Sequence, residues 1–464
     1  MTSVASINNF LKRNILYILL IIIALAFRIW DITESFPFDY DQAISAQIAY
    51  DFFVNHKLSL IGQELSFQGF YLGPLHNWVQ FTPYYFCNLQ PDCVPHFYLI
   101  ISIITIVITY FLLKRIFSTA IAFIVALIYS ISYTAISFER GVNSNYFLFF
   151  TTVVVIYCLH EYYLNKNKFL IIGAFFTGIA VVNFNPVFIF STAFFYISTI
   201  LRGRINIKYY VLSLVAFFIN YLPLAVFDYR HDHILLNNLA NFFNQNTANE
   251  DFFYRLHFLI GKIFVPFNTY YLFHSTKIWY VIIFLTTLIP GVIVILKSKS
   301  KLYISLLIWP PLVILGFLFY KGHIPDYYFQ QFVVVILIIL AFALAKKPII
   351  AIAFIALLTY VNVNLLVHSK YPINYQLKKK VVNSILESTK EDSFNVYYSM
   401  PPGLNTGYST IFKLYQRYPQ ENQKNLYIID YSDAKSFDMK KYAQLGKVTQ
   451  VQSFDSFLRV VSVK

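Results

Sequence analysis

LKRNILYILLIIIALAFRIWDITESFPFDYDQA, residues 11–43, decides how this chain is read. Two bases, Lys12 and Arg13, precede an uninterrupted apolar run from Ile15 to Trp30. The run lacks a small-residue cleavage pattern, so it reads as a retained helix. A short acidic cluster follows, Asp39-Tyr40-Asp41-Gln42, set between Phe36-Pro37-Phe38 and Ala43. In a chain with only 22 acidic residues among 464, two carboxylates beside a membrane point to chemistry at the lipid interface.

The same pattern extends through the chain. Apolar residues make up 58% and charged residues 12%, where soluble proteins carry about 25% charged residues. Apolar runs are expected at 14–30, 97–113, 117–137, 145–163, 168–183, 186–201, 208–227, 278–296, 302–320, 327–345 and 348–367. That pattern predicts an α-helical polytopic membrane protein with about eleven transmembrane helices, each run judged against a hydrocarbon core about 30 Å thick. Many of the 38 Tyr and 49 Phe residues lie near run ends, where amphipathic rings favour the headgroup region.

Counting bases at alternate connections orients the chain. One side carries Lys12 and Arg13, Lys114 and Arg115, Lys166 and Lys168, Arg202, Arg204 and Lys208, Lys297, Lys299 and Lys301, then Lys346 and Lys347. Short connections on the other side carry only Lys57, Arg140 and Lys321. The positive-inside rule therefore predicts a cytoplasmic amino terminus and an outer carboxyl terminus. The net charge of +14 is spread over such loops, which argues for anionic lipid headgroups and against nucleic acid as a partner.

Two domains follow: 1–369 in the membrane and 370–464 as a small α/β domain outside. The first outer loop, 31–96, should hold one short helix from Gln42 to His56 and another starting at Leu72–Trp78. Loop 228–277 alternates aromatic and polar residues (Phe252, Phe253, Tyr254, Phe258) and reads as lying on the membrane. In the terminal domain, 374–388 and 405–417 read as helices, and 394–399, 426–430 and 457–463 as strands. Cys158 reads as a buried thiol. Cys87 and Cys93 share one polar loop and are read either as a disulfide facing an oxidising compartment or as two unpaired thiols.

Ionisable residues gather at the outer ends of the runs. Asp41, ahead of Asp39, is flanked by aromatic residues, and a partly desolvated carboxylate suits a general base acting on an alcohol. Arg28 is read as an ion-pair anchor to Asp31 or Glu34, or as a group that contacts a phosphate or orients the Asp39/Asp41 segment. Glu139-Arg140 is either a solvated pair or, through Arg140, a grip on phosphate oxygens. Lys321, His323, Asp326, Tyr327 and Tyr328 form another outer cluster suited to a phosphate or a divalent metal. His76, beside Gly73-Pro74, is read first as part of a helix start.

The order of Arg28, Asp39-Tyr40-Asp41-Gln42-Ala43, Gly73-Pro74-Leu75, Glu139-Arg140 and the His323/Tyr327/Tyr328 turn resembles a known group. It is the protein O-mannosyltransferase and aminoarabinose transferase group of the GT-C membrane glycosyltransferases. The resemblance covers about residues 10–367. It implies interface helices over a lipid-facing cavity, a sugar donor on a polyprenyl phosphate, and inversion at the anomeric centre. The family's Asp-Glu pair appears here as Asp41-Gln42, which retains the base and replaces the second carboxylate by an amide. Its Pro-Pro-Leu appears as Gly73-Pro74-Leu75.

These readings converge on an inverting glycosyltransferase at the outer membrane face. Asp41 and Asp39 carry catalysis, Arg28, Arg140, Lys321, His323 and Tyr327 bind the donor phosphate, and Gln42, His76 and Glu139 support them. The acceptor is a protein, a lipid or a cell-envelope glycan, and the terminal domain helps bind it. No Gly-rich nucleotide loop is present or required, no cofactor is assigned, and a divalent metal is left open. The rival readings are a flippase for lipid-linked sugars and a non-catalytic scaffold of envelope assembly. A flippase predicts charged residues deep in the helices, and the apolar runs hold almost none.

Overall fold

The computed structural model describes residues 2–463 apart from 66–68, 204–205, 245–252, 254–255, 258, 260–270, 276, 321–323, 370, 372, 391, 402 and 434–435. The chain opens with α1 (Thr2–Ile29), α2 (Tyr40–Phe53), α3 (Leu75–Phe86), α4 (Val94–Ile116), α5 (Thr119–Ile131), α6 (Tyr133–Arg140) and α7 (Phe147–Tyr163). Each of the eleven expected runs falls on helix. Among the described residues, seven helices are long and apolar enough to cross a membrane, or eight if α5 and α6 form one bent span. Three more, Asn14–Ile29, Lys168–Phe184 and Pro186–Leu201, are shorter. The helix Gln330–Leu344 is apolar on every face and buried along nearly its whole length, as its pattern requires. It packs against Ile278–Lys297, α5 and α7 and forms the centre of the membrane region.

The run expected at 117–137 is not one straight helix. It breaks at Ser132, and α5 and α6 meet at 57°. Ser132 is extended, and its hydroxyl accepts from the Ala135 amide (3.3 Å) and donates to the Tyr271 carbonyl (3.2 Å). The freed Tyr133 amide donates to Asn362 Oδ1 (2.7 Å). Tertiary partners thus satisfy the backbone groups that the bend exposes, and α6 is turned across the outer face.

The first outer loop folds as α2 and α3. Gln42 closes the start of α2 by accepting from the Asp39 amide (3.1 Å), one half of a capping box. The α3 start docks on the junction between the runs 168–183 and 186–201: Gly73 donates to the Val182 carbonyl (2.7 Å) and Leu75 to Asn183 Oδ1 (3.1 Å). A Cβ on Gly73 would sit 2.3 Å from that oxygen, so the close approach requires glycine. Cys87 and Cys93 are paired in the structure, with their Cα atoms 6.0 Å apart. Cys158 is free and buried.

The terminal domain holds a four-stranded sheet, β1 (Asn395–Ser399), β2 (Leu426–Tyr431), β3 (Val448–Ser453) and β4 (Leu458–Val463), in the order β1-β2-β4-β3. The β1–β2 pair is parallel and the others are antiparallel. Helices Tyr375–Thr389 and Thr406–Leu414 match the expected ones; β3 and the short helix Met439–Ala443 are additions. The aromatic positions Phe252, Tyr254 and Phe258 lie outside the described residues, whereas Phe253 is described and exposed.

The domain does not stand apart from the membrane region. Phe36, Phe38 and Tyr375 form one aromatic cluster with ring centroids 5.1–6.1 Å apart. The Tyr375 amide donates to the Phe36 carbonyl (2.9 Å). Asp92 accepts from Lys379 (2.9 Å) and Gln376 (3.0 Å). These contacts hold the segment before α2 between the two halves of the molecule.

Candidate functional site

The start of α2, the end of α6 and the chain leaving the last membrane helix enclose a cavity of about 560 Å³. Asp39, Asp41, Arg140, Tyr133, His274 and Tyr371 are among the residues that line it. The helix start is fixed there because the Gln42 amide donates to the Gly141 carbonyl at the end of α6. Gln42 therefore acts through the scaffold, with both ends of its amide engaged.

The two carboxylates have different surroundings. Asp39 Oδ1 accepts from Lys378 Nζ (2.9 Å) and Oδ2 accepts from the Tyr371 hydroxyl (2.6 Å). Asp39, expected to share catalysis with Asp41, has both its oxygens committed to the terminal domain and its approach. Among the described residues, nothing donates to the Asp41 carboxylate. Burial, and secondarily the charge of Asp39, hold its proton affinity above the usual carboxylate range. Asp41 is thus the basic, uncommitted group of the cavity.

Arg140 is buried, and its Nη2 donates to the Trp30 carbonyl. Its Nε has no partner among the described residues. Arg140 nonetheless lines the cavity, and a guanidinium there suits the oxygens of an anion. The α2 amino terminus at the same cavity adds partial positive charge.

Arg28 departs from expectation. Its partner is neither Asp31 nor Glu34 but Glu139, 111 residues away, with Nε–Oε2 and Nη2–Oε1 both 2.8 Å. Its single Nε proton is donated to Ser102 (2.6 Å) and its Nη1 donates to the Ser130 carbonyl (2.6 Å). Those bonds use its donors inside the protein, away from the cavity lining, so Arg28 and Glu139 tie α1 to the α5–α6 bend. His76 is also internal. It shares a hydrogen bond with the Tyr98 hydroxyl (2.9 Å), and burial lowers it to about 4, which keeps the ring neutral at pH 7.

Tyr327 packs edge-on to Tyr328 (5.1 Å) and lies within electrostatic reach of Asp41, outside the cavity lining. Lys321 and His323 lie outside the described residues. Among the described residues, no three His, Cys, Asp or Glu side chains are grouped to hold a metal. With Asp39 engaged, Asp41 is the one carboxylate left open at the cavity among the described residues. Sequence reasoning missed His274, Tyr371 and Lys378. No local pattern distinguishes them.

The bent outer helix, the interface helices and the cavity beneath them define a class, the membrane proteins of the GT-C fold. Within it, residues 73–227 match the family model described as dolichyl-phosphate-mannose-protein mannosyltransferase. The resemblance to the mannosyltransferase and aminoarabinose transferase group therefore stands. The chain superposes on ArnT from Cupriavidus metallidurans in the apo state with a TM-score of 0.61 at 12% identity, covering 96% of this chain and 97% of that one. ArnT bound to undecaprenyl phosphate gives 0.59 at 11% identity with the same coverage. The apo oligosaccharyltransferase of Archaeoglobus fulgidus gives 0.56 at 12% identity, covering 87% of this chain and 64% of that one. At such identity the shared property is the fold. No curated protein matches the chain in sequence.

Proposed function

We propose that the protein is a glycosyltransferase that moves a sugar from a polyprenyl-phosphate donor to a hydroxyl or amine acceptor at the outer membrane face, with inversion. One observation carries this reading: an uncommitted carboxylate, Asp41, and the guanidinium-bearing Arg140 line one cavity. Asp41 takes the acceptor's proton while the acceptor atom bonds to the anomeric carbon. The bond from that carbon to the phosphate oxygen breaks, and its electron pair leaves with the polyprenyl phosphate. Arg140 faces the charge that grows on the departing phosphate, where a preorganised donor is most effective. ArnT was solved with undecaprenyl phosphate, which supports a polyprenyl phosphate as the lipid here.

The base count supports a cytoplasmic amino terminus and an outer terminal domain, and the Cys87–Cys93 bridge supports an oxidising outer side. Purified full-length protein in lipid, given polyprenyl-phosphate sugars, should release polyprenyl phosphate. Asp41→Asn should lower kcat by 10²- to 10⁴-fold, the range for a lost general base. Equal turnover in both proteins sinks the assignment of Asp41. Movement of the lipid-linked sugar across vesicles without release would instead establish the flippase.

A further inference from the structure

We infer that Lys378, in the terminal domain, is a positioning residue of the cavity. It neutralises Asp39 and locks the start of α2, so that Asp41 alone stays open. The effect on Asp41 rests on the proposed role of that residue; the clamp itself does not.

The geometry is specific. Lys378 is fully buried, and all three of its ammonium protons have acceptors: Asp39 Oδ1 (2.9 Å), the Phe38 carbonyl (2.8 Å) and the Leu404 carbonyl (3.1 Å). The ammonium also lies over the Tyr408 ring, 5.3 Å from its centroid. A buried lysine with every donor used is held in one place, because removing any acceptor leaves an unpaired charge out of water. The backbone is fitted to this contact. A Cβ on Gly407 would sit 2.1 Å from the Phe38 carbonyl oxygen and 2.8 Å from Lys378 Nζ, so only glycine lets the helix Thr406–Leu414 close on the loop.

Tyr371 completes the arrangement by donating to the second Asp39 oxygen. Asp39 is therefore fixed from two sides by the segment that follows the last membrane helix. Asp39 caps α2, and Asp41 is the second residue of that helix. Whatever fixes the cap fixes the direction in which Asp41 points.

Charge follows the same route. Among the described residues, Asp41 shares the cavity with Asp39 from its own segment, Arg140 from α6, His274 and the phenols of Tyr40, Tyr133 and Tyr371, and lies within electrostatic reach of Tyr327. Asp39 is the one anion in that set, and Lys378 is its counter-ion. Without Lys378, the Asp39 charge acts on Asp41 uncompensated, and the base needs a higher pH to ionise. The terminal domain is thus part of the reaction centre.

The test uses full-length protein in lipid and three variants: Lys378→Met, Asp39→Asn, and both together. Each is first checked for folding by size exclusion and thermal melting. In Lys378→Met, amide exchange of the peptide spanning 36–42 should rise at least tenfold. The acid limb of the kcat/KM profile should move up by about one pH unit. The double variant removes the unpaired anion, so its acid limb should return to within a few tenths of a unit of wild type. A folded Lys378→Met with unchanged exchange at 36–42 overturns the clamp, whatever the reaction. A slower enzyme whose acid limb stays put, and is equally slow in the double variant, overturns the charge role and leaves a packing contact. Should Asp41→Asn turn over like wild type, the base assignment fails, and the exchange data still decide the clamp.

Discussion

Replacing Glu139 by Gln probes the junction that sets the outer end of the membrane region. Arg28 and Glu139 form a two-pronged ion pair with their side chains 2% and 4% exposed. Breaking a buried pair by removing one partner costs ~3–5 kcal/mol, because the other charge is left without compensation. Arg28 would keep Ser102 and the Ser130 carbonyl as acceptors, which places Glu139→Gln near about 3 kcal/mol. Arg28→Met should cost a similar amount, since it leaves the carboxylate buried. Removing both charges, Arg28→Met with Glu139→Gln, should return stability to within about 1 kcal/mol of wild type. The coupling in this cycle is then about 5 kcal/mol, well beyond ordinary neighbour effects. Equilibrium unfolding in mixed micelles, followed by tryptophan fluorescence, measures all four proteins. Additive losses in the double variant would refute the reasoning. The same variant separates anchoring from ligand contact: a folded double variant that no longer binds polyprenyl phosphate would return Arg28 to the phosphate site.

Three other outcomes are expected. Asp41 is raised by burial, so its ionisation opposes folding: the stability it contributes is present below its unfolded value, about 3.9, and is lost as pH rises through the folded one. Asp41→Asn should therefore be more stable than wild type at pH 7, with the gain vanishing below about pH 4 in unfolding measured across pH. His76 is lowered from 6.5 to about 4, so its contribution is present above pH 6.5 and is lost as pH falls toward 4. That loss amounts to about 3 kcal/mol, and His76→Gln should flatten the profile in that window. Cys87→Ser with Cys93→Ser opens a short loop and should cost about 2 kcal/mol, read as a lowered unfolding midpoint that reductant reproduces in the wild type.

The membrane helices were legible because hydrocarbon imposes long apolar runs, and lysine and arginine mark the gaps between them. The bend at Ser132 was not legible. No proline or glycine punctuates the run there, and the break is held by Tyr271 and Asn362, far along the chain. Strand β3 was hidden by its composition, since Val448–Ser453 is a half-exposed strand carrying two glutamines. Arg28 was singled out correctly as too costly to leave unpaired near lipid. Its partner could not be read locally, since Glu139 is brought to it only when α1 packs beside α4 and α5. Lys378 sits in a run of three lysines on an amphipathic helix. Its neighbour Lys379 pairs with Asp92 at a more exposed site, and only packing makes Lys378 the buried member.

Gln42 acquires a reason in this setting. As the residue after Asp41 it looks like a lost second carboxylate, yet its amide donates to the Gly141 carbonyl while its oxygen accepts from the Asp39 amide. An ionised glutamate could keep the second bond but not the first, since it has no proton to offer a carbonyl. It would also add a third anion to the α2 start, where Lys378 provides for one. Two carboxylates ~6 Å apart at an effective dielectric of ~20 repel by about 3 kcal/mol, or about two pKa units. Asp41, already raised by burial, would be pushed further from the ionised state that its proposed role requires. The amide at 42 and the ammonium of Lys378 therefore act in the same direction: one keeps the charge at this helix start from growing, and the other cancels the part that Asp39 brings. What the sequence presents as a depleted acidic pair is, in the folded chain, an arrangement that keeps a single carboxylate usable.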